Sequence, residues 1–176
     1  MWLDQVHGTE VLDAAGPSSS PPVADASVTT ERGLPLAIMT ADCAPVVVAS
    51  DTAVGVAHAG HRGLEHGVIE ATVERVRAMG SADVRAFLGP CIRAECYEFG
   101  ARDLERLARH FGPEVVAETR VGRAAFDLPA AVRIALARAG VDDLDDCGVC
   151  TADSDAHFSY RRDGVTGRQV TVAVLS

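Results

Sequence analysis

Residues 54–76 read VGVAHAGHRGLEHGVIEATVERV, and the change of period within them decides the fold. Val54 to His58 is a short apolar run that fits a buried strand. The glycines of Ala59–Gly63 (AGHRG) then turn the chain into a helix. In that helix Leu64, Val68, Ile69, Thr72, Val73 and Val76 share one face at the 3.6-residue period, and Gly80 is placed to stop it. A buried strand delivered through a glycine turn into an amphipathic helix is the building unit of a layered α/β protein.

Reading outward, Leu34–Thr40 (LPLAIMT), Pro45–Ala49 (PVVVA) and Val84–Leu88 are further buried strands. Helices are expected near Ala101–Phe111 and Leu128–Ala139, the second closed by Gly140. The C-terminal part returns to β structure near Cys147–Cys150, His157–Tyr160 and Gln169–Leu175. Trp2–Leu12 alternates weakly and predicts a strand broken by Gly8. Residues 15–22 (AGPSSSPP) are expected to form an exposed loop. No internal repeat is visible. The reading is one α/β (α+β) domain over residues 1–176.

Composition narrows the function. With 176 residues and 48% apolar content, the chain has enough core to fold without disulfides. A net charge of −9 argues against nonspecific binding to nucleic acid or anionic membranes. No apolar run approaches the roughly 18 residues of a membrane-spanning helix, and no signal peptide is recognisable. The basic residues are all Arg, so Schiff-base lysine chemistry and a Walker A lysine are excluded. Five Cys without a secretion signal point to a reducing cytoplasm and free thiols.

Three residues at strand ends carry reactive side chains: His7 in QVHG, Cys43 in TADC and His58 in VGVAH. Two imidazoles and a thiol leave one position open on a tetrahedral zinc, the arrangement of catalytic sites. Each residue also has a plain reading, as a packed cysteine or a hydrogen-bonded core histidine. Gly60 and Gly63 flank a turn whose free N–H groups suit an anion, and Arg62 adds a bidentate cation. The alternative there is an ordinary strand-to-helix turn with a surface ion pair. Asp42, beside Cys43, suits a base or a support for a metal ligand. Arg161 lies in an aromatic and basic stretch, Phe158–Asp163, that reads as a pocket wall or as a strand end. Cys147-Gly-Val-Cys150 reads as a redox pair, as half of a zinc knuckle with Cys91 and Cys96, or as packed thiols; its late position fits the last.

Taken together, QVHG (Gln5–Gly8), ADASVT (Ala24–Thr29), MTADCAPV (Met39–Val46), VAHAGHRGL (Val56–Leu64), LGPCI (Leu88–Ile92), YEFG (Tyr97–Gly100), CT (Cys150–Thr151) and FSYRRDGVTGRQ (Phe158–Gln169) resemble the bacterial YfiH-type family in its own order. Such proteins have been labelled multicopper polyphenol oxidases or laccases, peptidoglycan editing factors and zinc-dependent purine nucleoside phosphorylases. The resemblance implies a layered α/β sandwich related to cysteine hydrolases, with zinc on His7, Cys43 and His58. It also implies phosphorolysis of adenosine, inosine, guanosine and methylthioadenosine, together with adenosine deamination. His61 stands where the family usually has Trp. The match starts almost at Met1, so the family's segment ahead of QVHG, with an Arg thought to face the substrate, is expected to be missing from this chain.

The expected phosphate clamp is Arg62 with the Gly60–Gly63 backbone, with Arg161 as a further anion contact. The alternatives are a copper-dependent laccase-like oxidase with Met39 as axial ligand, a metal-free Cys43/His58 hydrolase, and a truncated binding module. The first sits poorly with six His and no His-x-His pair.

Overall fold

The computed structural model describes residues 1–80 and 83–176. Its centre is a six-stranded sheet. The strands, in spatial order, are β1 (Val11–Asp13), β2 (Ala26–Thr29), β5 (Val54–Ala59), β4 (Ala44–Ala49), β6 (Arg85–Leu88) and β9 (Leu144–Asp146). The four inner strands pair antiparallel, and β1 and β9 add in parallel at the edges. Helices α2 (Val68–Ala78), α3 (Ala101–Phe111) and α4 (Leu128–Arg138) contribute to the hydrophobic core on one face. An antiparallel pair, β3 (Leu36–Thr40) and β10 (Gln169–Ala173), covers the other. A short hairpin, β7 (Val116–Glu118) and β8 (Ala124–Phe126), lies beside α3, and short helices α1 (His61–His66) and α5 (Tyr160–Asp163) complete the mixed α/β fold. No helix among the described residues is long and apolar enough to cross a membrane.

Strand β5 is buried along its whole length because both of its faces are covered. Its side chains divide by the period of two. Val54 and Val56 join Leu36, Ile38 and Ala173 on the β3/β10 side, while Ala57 and Ala59 join the helix-side core. Gly55 faces α2 so closely that an added Cβ would come within 2.9 Å of Val28 Cγ1 and 3.1 Å of both Thr72 Cγ2 and Val76 Cγ2. Small residues on one face bring the helix layer in, and larger ones on the other face fill the gap to β3. His58 shares the parity of Val54 and Val56, so the alternation itself sends it to the β3 side.

The structure differs from the sequence reading at several places. The helix expected after AGHRG is two helices broken at Gly67, which adopts φ 92°, although Leu64, Val68, Ile69, Thr72, Val73 and Val76 are all buried as expected. Trp2–Leu12 is no strand. Only Asp4 bridges to Val23, and the strand begins at Val11, because His7 turns left-handed at φ 61°. Cys147–Cys150 is reduced to a single bridge, Cys150 to Cys91, since Gly148 at φ 74° turns the chain after β9. The strand expected at His157–Tyr160 is absent: residues 157–159 lead into α5, which starts at Tyr160, and the Ser159 hydroxyl caps the helix by accepting the Arg162 N–H. Strands β2, β7, β8 and β9 were not read from the sequence. Residues 15–22 hold neither helix nor strand.

Replacing Gly55 by Ala is expected to destabilise the fold by about 1–3 kcal/mol, because the new methyl group drives into Val28 and α2. Urea unfolding of the variant against wild type checks this. An unchanged midpoint would show that the helix layer can move away from β5.

Candidate metal centre

The centre is built around a buried carboxylate. Asp25, fully buried just before β2, accepts the backbone N–H groups of Val6 (3.1 Å), His7 (2.9 Å) and Gly8 (2.6 Å), and His58 Nδ1 at 2.8 Å. Three successive N–H groups closing on one anion force the local backbone turn and hold His7 at its left-handed φ. The Gln5 side chain fastens the same segment to β3, donating to Met39 O (2.8 Å) and accepting Met39 N–H (2.9 Å). Burial alone would raise the Asp25 carboxyl, but the hydrogen bonds from His58 and the backbone hold it below its ordinary value. The ionised carboxylate can only accept, so His58 Nδ1 carries a proton toward it, and Nε2, which donates to Cys43 in the metal-free protein, becomes a ligand atom once it gives up its own proton.

Cys43 arrives from the turn between β3 and β4. One ligand atom from each of His7, Cys43 and His58 lies within 4.8 Å of the others, the separation three donors need to share one ion. The His7 and His58 rings lie 4.7 Å apart between centroids. Gly60 leaves the space around them: a Cβ there would lie 2.9 Å from His7 Nδ1 and 3.1 Å from Cys43 Sγ. Burial raises the Cys43 thiol, but hydrogen bonds from His58 and His7 outweigh it and bring the pKa to about 6. Burial likewise opposes charge on His58, yet the Asp25 and Cys43 contacts raise it to about 9. The donors, their spacing and the space kept by Gly60 all fit a borderline-soft divalent cation.

The trio lines a cavity of about 590 Å³, within the usual range for small-molecule sites. Tyr97, Tyr160, Arg161, Arg168 and His61 form much of its remaining wall. Arg161 lies 4.9 Å over the Tyr97 ring and donates to Glu98 O (2.7 Å), while Arg168 donates to the carbonyls of Thr166 and Gly167. His61 packs edge-on against Phe99, and burial and then the neighbouring Arg62 charge lower its pKa. Asp42, left-handed at φ 93°, lines the wall without bonding a trio member. Its Oδ1 accepts the Thr151 hydroxyl (2.7 Å) and its Oδ2 the Arg161 N–H (2.6 Å).

The structure thus brings together His7, Cys43, His58, Asp42 and Arg161. Arg62 is exposed and outside the cavity lining, and Gly60 and Gly63 serve close approach, the latter with its Cβ position 3.2 Å from Gly8 O. Sequence reasoning gave no role to Asp25, Tyr97 or Arg168, and covered Tyr160 only within the Phe158–Asp163 stretch read as a pocket wall or as a strand end. All four fall inside the motifs that carried the family resemblance, which was the available signal.

These features define a layered α/β protein with a His–Cys–His cluster facing an open cavity. The chain belongs to the multi-copper polyphenol oxidoreductase laccase family, the YfiH type, whose family model matches residues 1–176. It is 42% identical over 175 residues to purine nucleoside phosphorylase ORF3 of Streptomyces griseus, covering 96% of this chain and 71% of that protein. Purine nucleoside phosphorylase YfiH of Escherichia coli is 37% identical, with 97% and 72% covered. Among solved structures, Neisseria meningitidis protein NMB0706 superposes with a TM-score of 0.86 at 37% identity, over 97% of this chain and 72% of that one. YlmD of Geobacillus stearothermophilus gives 0.85 at 32% identity, with 97% and 72% covered.

Two outcomes follow. In metal-free protein, alkylation of Cys43 by iodoacetamide should fall to half its plateau rate near pH 6, where a free thiol, at about 8.5, is already unreactive. Rates followed by peptide mass spectrometry test this, and a midpoint above pH 8 would contradict the imidazole contacts. Asp25→Asn should weaken metal binding by about 10–100-fold, measured by competition with a chromophoric chelator. Unchanged affinity would remove the carboxylate from the account.

Proposed function

We propose that this chain is a metal-dependent purine nucleoside phosphorylase that also deaminates adenosine, with adenosine, inosine, guanosine and methylthioadenosine as substrates. The observation that carries the reading is the placing of an arginine-bearing wall and a His–Cys–His cluster on one cavity of nucleoside size. The names of the relatives support it. His7, Cys43 and His58 would hold zinc, for which a His₂Cys set with an open position is suited, and the ion supplies Lewis-acid polarisation when bound. The same donors also suit copper, so metal analysis belongs to the test. A multicopper oxidase centre has too few histidines here, with six in the whole chain.

In phosphorolysis a phosphate oxygen bonds to the anomeric carbon as the glycosidic C–N bond breaks, and the base leaves with a proton. The site must therefore hold a dianion beside a developing cation. Arg161 and Arg168 are the cavity's guanidinium groups, and we assign the phosphate to them instead of to Arg62. Asp42 acts as a positioning residue, fixing the Arg161 backbone at the start of α5. Burial and then the Cys43 thiolate push the Tyr97 phenol up, so it stays a neutral donor and a flat wall for a base or sugar.

Chromatography of nucleoside incubations should show free base and ribose 1-phosphate only when phosphate is present, and inosine from adenosine without it. Arg161→Ala should raise the KM for phosphate roughly tenfold or more with metal content unchanged, whereas Arg62→Ala should change it little. Oxidation of diphenols by copper-loaded protein, with no base released by any metal form, would overturn the assignment.

A further inference from the structure

A second set of metal-binding side chains lies outside this cavity. Cys96 precedes Tyr97 in the chain, and Cys150 and Asp153 belong to the segment that follows β9. One ligand atom from each lies within 4.8 Å of the others. Cys96 Sγ donates to Asp153 Oδ1 at 3.3 Å, and Cys150 Sγ, buried, accepts the Arg93 N–H at 3.4 Å. All five cysteines are free thiols.

A cation is already drawn to this place. The Arg120 guanidinium pairs with both Asp153 oxygens and comes within 3.9 Å of Cys96 Sγ. Its side chain is 59% exposed, so it can leave without opening the core.

We propose that Cys96, Cys150 and Asp153 form a second metal site that takes a thiolate-preferring divalent cation such as zinc, in competition with Arg120. Two sulfurs and a carboxylate oxygen are zinc donors, and their mutual spacing suits a shared ion without backbone movement. On binding, each thiol gives its proton to solvent as its sulfur–metal bond forms, so uptake weakens as pH falls. The site acts as a clip. It joins the segment carrying Tyr97, which lies under Arg161, to the segment carrying Thr151, whose hydroxyl bonds Asp42.

The test is cobalt(II) titration of the full chain, read by thiolate-to-cobalt charge-transfer absorption, in wild type, Cys43→Ala, Cys43→Ala/Cys96→Ser and Arg120→Ala. Wild type should bind about two equivalents. Cys43→Ala should keep the thiolate signal, and the double variant should lose it. Arg120→Ala leaves the donors intact and should bind cobalt several-fold more tightly at this site. The proposal is overturned if Cys43→Ala gives no thiolate–cobalt band while retaining wild-type circular dichroism. It is equally overturned if Arg120→Ala leaves the affinity unchanged, or if Cys96 and Cys150 are found joined in a disulfide in freshly reduced and desalted protein. None of these outcomes depends on the nucleoside reaction.

Discussion

The Asp25 carboxylate is the constraint on which the rest of the site depends. It is buried, ionised and shared between a turn and a histidine, so it does two things at once. It gathers the N–H groups of residues 6–8 and thereby sets the position of His7. It also binds Nδ1 of His58 and thereby fixes which nitrogen faces Cys43. A buried anion without those four donors would cost several kcal/mol, so the turn and the histidine orientation are secured by the same group.

The layered packing explains why the site lies where it does. β5 carries Gly55, Ala57 and Ala59 toward α2 and Val54, Val56 and His58 toward β3. The alternation that buries the valines therefore delivers His58 into the space between sheets, near the turn that holds Cys43. Small residues recur at the point of closest approach, where Gly60 keeps a Cβ away from both His7 and Cys43. Asp42 then ties this turn to the C-terminal segments through Thr151 and Arg161, so that the wall and the floor of the cavity share one anchoring turn.

Much of this was legible in the sequence, and the gaps have physical causes. Helices α3 and α4 and strands β3 to β6 announce themselves through apolar period and glycine stops. Strand β2 does not, because ASVT is short and its burial comes from neighbours on both faces. The left-handed turn at His7 was hidden because it is imposed by a carboxylate 18 residues away. Cys43 and His58 could be picked out by residue type near strand ends, and His7 by residue type although the strand expected around it is not there, whereas Asp25 works through backbone groups and leaves no local pattern. Arg62 looked well placed beside two glycines, yet facing a cavity is a property of tertiary packing, and that fell to Arg161 and Arg168. Cys96 and Asp153 are 57 residues apart, so spacing alone said nothing of their meeting.

His7, Cys43 and His58 are proposed to share one ion. Zinc K-edge X-ray absorption of the Cys96→Ser protein, loaded with one equivalent of zinc, tests this most directly. The expected spectrum has a shell of one sulfur at about 2.3 Å and two imidazole nitrogens at about 2.0–2.1 Å, with the remaining position held by a light atom. A shell without sulfur, or with two sulfurs, would contradict it.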